Sequence, residues 1–171
     1  MADSTKVKMG VCSVVFNGTD LGHTKGGVEV IYKPEYKDIE VDMYTGAPDK
    51  ILTAEAFSAK VPLAERTAAN ISNSIPSGTL STAGGRNKLT VGRKAGFRLS
   101  TVAKRLVLHP MENAVGNTQD DVVIWSAVSI GEVTLPYKKD EETVIAIEFM
   151  SLVNETNADG NYLATIGDTT V

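Results

Sequence analysis

Two histidines, one cysteine and a glycine-flanked lysine are the residues of this chain best equipped for chemistry, and their spacing argues against most of it. His23 and His109 lie far apart in sequence, without the HxH or HExxH spacing that sets two imidazoles on one metal ion. Cys12 is alone and cannot complete a zinc set. The segment GHTKGG (22–27) has the composition of a phosphate loop. Its Lys25, however, precedes the glycine pair, and no strand–loop–helix order surrounds it. GxSxG and GxGxxG do not occur. Asp120-Asp121 and Glu141-Glu142 are adjacent pairs, and neighbours on a strand face opposite ways, so neither makes an acid–base dyad. His109, just before Pro110, reads as a strand-end residue. The expectation is a non-enzymatic chain with no catalytic residue, no cofactor and no metal.

A different chemistry is legible in VEVIYKPEYKDIEVDM (28–43), where charge rather than reactivity is arranged. Val28, Val30 and Tyr32 alternate with Glu29, Ile31 and Lys33, and Ile39, Val41 and Met43 alternate with Asp38, Glu40 and Asp42. Period-2 alternation is the signature of half-buried strands. Pro34 cannot donate to a ladder, so it is expected to divide two strands. Asp38, Glu40 and Asp42 would then stand in a row about 6.5–7 Å apart on one face, with Ile39, Val41 and Met43 packed beneath. Such a row repels itself and suits either a solvated edge or a surface that must not hold an anion.

The elements that must position these residues are mostly strands. Met9 to Phe16 is a strand candidate, and Asn17-Gly18 accepts positive φ and suits a hairpin. Further strands are expected at Ile51 to Val61, Thr101 to His109, Val122 to Ile130, Thr134 to Tyr137 and Thr143 to Val153. Ala64, Ala68, Ile71 and Ile75 form one stripe of a helix over 64–75, with Glu65 at its start and Pro76 at its end. Residues 77–96 read as a long basic loop or loose hairpin carrying Arg86, Lys88, Arg93 and Lys94. The tail, 154–171, reads as irregular and dependent on a neighbour for order. One domain, 1–171, is expected.

Composition narrows the class. The chain has 171 residues, 42% of them apolar, and no apolar run of the roughly 18 residues that span a membrane. MADSTKVKMG lacks a signal peptide's apolar core, so the expected site of synthesis is the cytoplasm, where the lone Cys12 stays reduced. The sequons at Asn17, Asn70 and Asn154 then carry no meaning. Net charge is −4, but residues 66–111 hold eight bases and no acid, whereas residues 112–171 hold eleven acids and two bases. The basic block has Phe97 as its one aromatic residue, too little interleaving for a nucleic-acid site. Arg86, Lys88, Arg93 and Lys94 are instead expected to meet Asp120, Asp121, Asp140, Glu141 and Glu142 of another copy.

LGHTKGGVEVIYKPEYKDIEVDMYTGAPDKILT (21–53), VPLAE (61–65), LVLHP (106–110) and YKKDEETVIAIEF (137–149) carry a family likeness. In these segments, in this order, the chain resembles the major tail tube proteins of long-tailed (siphovirus-like) bacteriophages. Residues 77–96 and the last dozen residues lie outside it. The resemblance implies a mainly β, sandwich- or barrel-like fold with one flanking helix. It also implies hexameric rings stacked into a virion tail tube, with other tail proteins at its ends and no membrane binding. Double-stranded DNA would pass through without specific binding. Duplex DNA carries a charge every ~1.7 Å, so the lumen must be negative, and Glu29, Asp38, Glu40 and Asp42 are the residues assigned to it. Six copies giving about four strands each at ~4.8 Å would close a ring about 37 Å across at the backbone. A type VI secretion-like tube protein and an unrelated β-sandwich binding module are the alternatives.

Overall fold

The computed structural model describes residues 10–137, 139–140 and 142–169. The expected strand start at Met9 and the candidate Glu141 lie outside the described residues. Among the described residues the chain is mainly β with a single α-helix. Ten strands run β1 (Cys12–Phe16), β2 (Thr19–Asp20), β3 (Glu29–Ile39), β4 (Asp49–Leu63), β5 (Thr79–Ala83), β6 (Arg86–Thr90), β7 (Lys104–Pro110), β8 (Val122–Ser129), β9 (Ile145–Ser151) and β10 (Ala164–Ile166). Helix α1 (Ala68–Ser74) lies between β4 and β5.

Eight strands form one antiparallel sheet in the order β2-β1-β7-β8-β9-β4-β3, with β10 also on β8; β5 and β6 pair separately. The alternation of β4, β7 and β9 explains the core. Phe57, Ala59, Val61 and Leu63, Leu106 and Leu108, and Ile145, Ile147 and Phe149 all point to one face and are buried there with Val14 and Phe16. Strands β1 and β9 are three strand spacings apart, about 14 Å in a flat sheet. The rings of Phe16 and Phe149 nevertheless stand 4.9 Å apart, so the sheet curls around its core. Ile71 of α1 packs against the same cluster.

Several expectations need correction. Pro34 does not divide two strands. Strand β3 runs through it, because as an edge strand it tolerates the missing N–H, and the irregularity of the pairing falls next door between Glu35 and Tyr36. The helix starts at Ala68 rather than 64, because the Thr67 side chain accepts from Asn70 N–H and fixes the N-cap there. Thr134 to Tyr137 makes no ladder. Residues 79–90 are an ordered hairpin closed by Gly84 and Gly85, both at positive φ. The tail is tied into the chain itself through β10. Trp125 Nε1–H donates to Asn161 (2.9 Å) and Thr165 (3.1 Å), and the Ser151 hydroxyl donates to the Leu163 carbonyl (2.8 Å).

Candidate functional site: a projecting hairpin

Strand β9 pairs with β4 only over Ser58–Leu63, whereas β3 pairs with β4 along its whole length. Beyond Phe57 the two strands therefore leave the sheet as a two-stranded ribbon about 26 Å long, ending in the 40–48 turn. An isolated ribbon of this kind is marginal in water without packing. This one carries Tyr36 (57% exposed), Ile51 (54%) and Leu52 (44%), along with exposed Ile31 and Tyr32. The turn adds Met43 at 87% and Tyr44 at 67%. Apolar side chains concentrated on a projecting element form an exposed apolar patch of the kind that interaction surfaces use. Among the described residues no strand lies beside the outer edge of β3, and Pro34 at its centre interrupts the donors it can offer.

The ribbon has two chemically distinct faces. Tyr32, Tyr36 and Leu52 share the face that continues into the core. Together with Phe57, Tyr162, Leu163 and Ile166, Tyr32 and Leu52 line an open groove of about 530 Å³. The Tyr32 hydroxyl donates to Glu55 at 2.7 Å, and this bond pushes the phenol up to about 12. Tyr36 stands directly opposite Leu52, and Asp38 directly opposite Lys50, with which it forms an ion pair of 2.8 Å. Glu29, Ile31 and Ile51 belong to the reverse face.

The row of carboxylates is not formed. Glu29 and Asp38 are nine residues apart on one continuous strand, so they project to opposite faces. Strand β3 ends at Ile39, which places Glu40 and Asp42 in the turn rather than on a strand. Val41 and Met43, expected beneath the acids, are exposed. All four carboxylates lie at exposed positions, three of them along the distal arm and Glu29 at its root.

The expected charge partners also rearrange. Asp121 is 5% exposed and accepts from His109 Nδ1–H at 2.7 Å, so it is used inside the fold. Asp120 accepts from the Asn113 amide. Glu142 holds Lys25 at 2.7 Å, which keeps its carboxyl below the usual range, and Asp140 is exposed. Arg93 braces the base of the β5–β6 hairpin, donating to Ser77 O (3.1 Å) and Thr79 Oγ1 (2.9 Å) with its guanidinium 5.1 Å from the Phe97 ring. Arg86, Lys88 and Lys94 are exposed.

GHTKGG shows why it is no phosphate loop. The Gly22 N–H donates to Asp20 (2.8 Å) and the His23 N–H to Glu65 (3.0 Å), so the chain's own carboxylates occupy these donors. A Cβ on Gly22, itself at φ +86°, would sit 2.3 Å from the Glu65 carboxyl carbon. Ser13 lies opposite His109 on the paired strand, but its hydroxyl turns to the His109 carbonyl (3.4 Å) rather than to the ring. Burial pushes the Cys12 thiol up, away from the reactive thiolate. Among the described residues no cluster of three His, Cys, Asp or Glu could hold a metal ion, and no helix is long and apolar enough to cross a membrane.

No protein-family model matches the chain, and no curated protein aligns with it significantly.

Proposed function

We propose that this chain is a structural protein whose copies associate head to tail into hexameric rings, and that these stack as a bacteriophage tail tube conducting DNA from capsid to host. The observation that carries the reading is the projecting β3–β4 hairpin. It exposes Tyr36, Ile51 and Leu52 on an element with little packing of its own, which is costly for a monomer and useful to an assembly. The mainly β fold with one helix agrees with what the sequence likeness to tail tube proteins implies. Among the described residues β3 bounds one end of the sheet and the short β2 the other, and such unlike ends suit head-to-tail association. Asp38, Glu40 and Asp42 remain the residues proposed for the negative lumen. Lys50 offsets part of that charge at Asp38, so Glu40 and Asp42 carry more of it.

Size-exclusion chromatography with negative-stain microscopy over a range of concentrations tests this reading. Tubes many rings long are the expected product. Isolated rings would favour a secretion-type tube, and a chain monomeric at every concentration would refute assembly altogether.

A further inference from the structure

The β5–β6 hairpin is the second element that stands off the main sheet, and its two faces differ as sharply as its surroundings. Leu80 pairs with Leu89 on one face, and a Leu89 methyl lies close to Gly78 and the end of α1, so this face is the one turned toward the fold. Arg86 stands opposite Ala83 and Lys88 opposite Ser81 on the other face, both exposed and close to a glycine turn. Neither side chain has an ion-pair or hydrogen-bond partner among the described residues. That absence is informative, because Lys25 and Lys50 elsewhere on the same surface do close ion pairs, both under 3 Å.

A complementary surface exists on the same chain. At the root of the long hairpin, on the sheet face away from the core, a groove of about 550 Å³ is lined by Glu29, Glu132 and Glu148 with Lys25 and Lys60. Glu29, Lys60 and Glu148 form one row across β3, β4 and β9, with the lysine between two carboxylates. With Glu142, which holds Lys25, the rim carries four acids and two bases, a net charge of −2. Glu29, Glu132 and Glu148 have no ion pair or side-chain hydrogen bond among the described residues. Gly26, Gly27 and Gly131 keep the groove floor open.

We infer that the exposed face of the β5–β6 hairpin, Arg86 and Lys88, docks into the Glu29–Glu132–Glu148 groove of a second copy of this chain. The two charges of the hairpin match the net charge of the rim, and the groove has room for more than one long side chain. Because donor and acceptor are different surfaces, the contact is heterologous and fixes the polarity of association. This inference rests on the self-assembly reading and names a contact within it.

The experiment measures the critical concentration for assembly by sedimentation for four proteins. They are the wild type, Arg86→Glu with Lys88→Glu, Glu29→Lys with Glu132→Lys, and the combination of all four changes. One exposed ion pair is worth about 1.4- to 5-fold in association. Reversing two charges removes two attractions and adds two repulsions, so each double variant should raise the critical concentration about 4- to 600-fold. The combined variant should return to within about threefold of wild type. Wild-type assembly should also weaken as NaCl rises from 0.05 to about 0.5 M, a readout that needs no variant to fold. A hairpin reversal without effect, or one that the groove reversal does not rescue, overturns this contact while leaving assembly standing. Binding of a labelled 20-base-pair DNA duplex that the hairpin reversal abolishes, without any change in assembly, reassigns the face to nucleic acid and also overturns it. A wild-type chain that never assembles overturns both this contact and the reading beneath it.

Discussion

Truncating the apolar side chains of the long hairpin should separate the stability of the fold from the stability of the assembly. Tyr36, Ile51 and Leu52 are 57%, 54% and 44% exposed in the free chain. Fully burying a side chain of this size contributes about 1.5–3 kcal/mol, so covering the half that remains contributes about 0.8–1.5 kcal/mol each. Together the three contribute about 2.4–4.5 kcal/mol per interface, or about 60- to 2,000-fold in critical concentration. The triple variant Tyr36→Ala/Ile51→Ala/Leu52→Ala should therefore assemble only at far higher concentration. Its core should survive, because Phe57, Val61, Phe149 and the other buried residues lie below the ribbon. The assay is sedimentation of the assembled fraction against concentration, with thermal unfolding of the dilute chain alongside. Val115→Ala, a still more exposed apolar residue outside the hairpin, serves as the control and should change neither. A triple variant that assembles within about threefold of wild type, with its fold intact, would refute the hairpin as the assembly surface.

Three further outcomes follow from named contacts. The Tyr32 phenol, held up to about 12 chiefly by its hydrogen bond to Glu55, favours the fold in its neutral form. Its contribution is whole below pH 10 and is lost as pH rises through about 12; absorbance at 295 nm should show Glu55→Gln bringing the ionisation back toward its ordinary range. Asn70 is 4% exposed and its amide donates to the carbonyls of Leu21 and Glu65, both at 2.9 Å. Asn70→Leu should cost about 1–3 kcal/mol in urea unfolding by stranding these acceptors, and an unchanged midpoint would remove that role. Replacing Asp38, Glu40 and Asp42 with Lys should leave the monomer folded, since all three are exposed, yet slow DNA passage in an ejection assay; normal ejection would place them outside the lumen.

What the sequence disclosed was set by alternation, and what it concealed was set by pairing. Ile145, Ile147 and Phe149 announce a core strand because their period is local, and they are buried as their spacing requires. The same local reading fails at Pro34, where a break was expected. Whether proline is tolerated depends on β3 being an edge, and edge position is a property of the whole sheet. Glu29 and Asp38, both assigned to the lumen, project to opposite faces for the same reason, since an unbroken strand fixes their relation by parity alone. Asp121 is another case. In sequence it is one of an acidic pair, and only the fold brings His109 against it. Strand β10 was hidden because three residues, Ala164–Ile166, carry too little periodicity to be seen. The β5–β6 hairpin was one of two readings of residues 77–96, and Gly84-Gly85 flanked by Leu80 and Leu89 is the signal that separates it from a loop.

Assembly around a DNA-conducting channel would be visible in class averages of the assembled protein viewed end-on by cryo-electron microscopy. Six copies should ring a channel wide enough for a DNA duplex, with the β3–β4 hairpins at the boundaries between copies. Solid filaments, a ring without a channel, or hairpins projecting freely into solvent would contradict it.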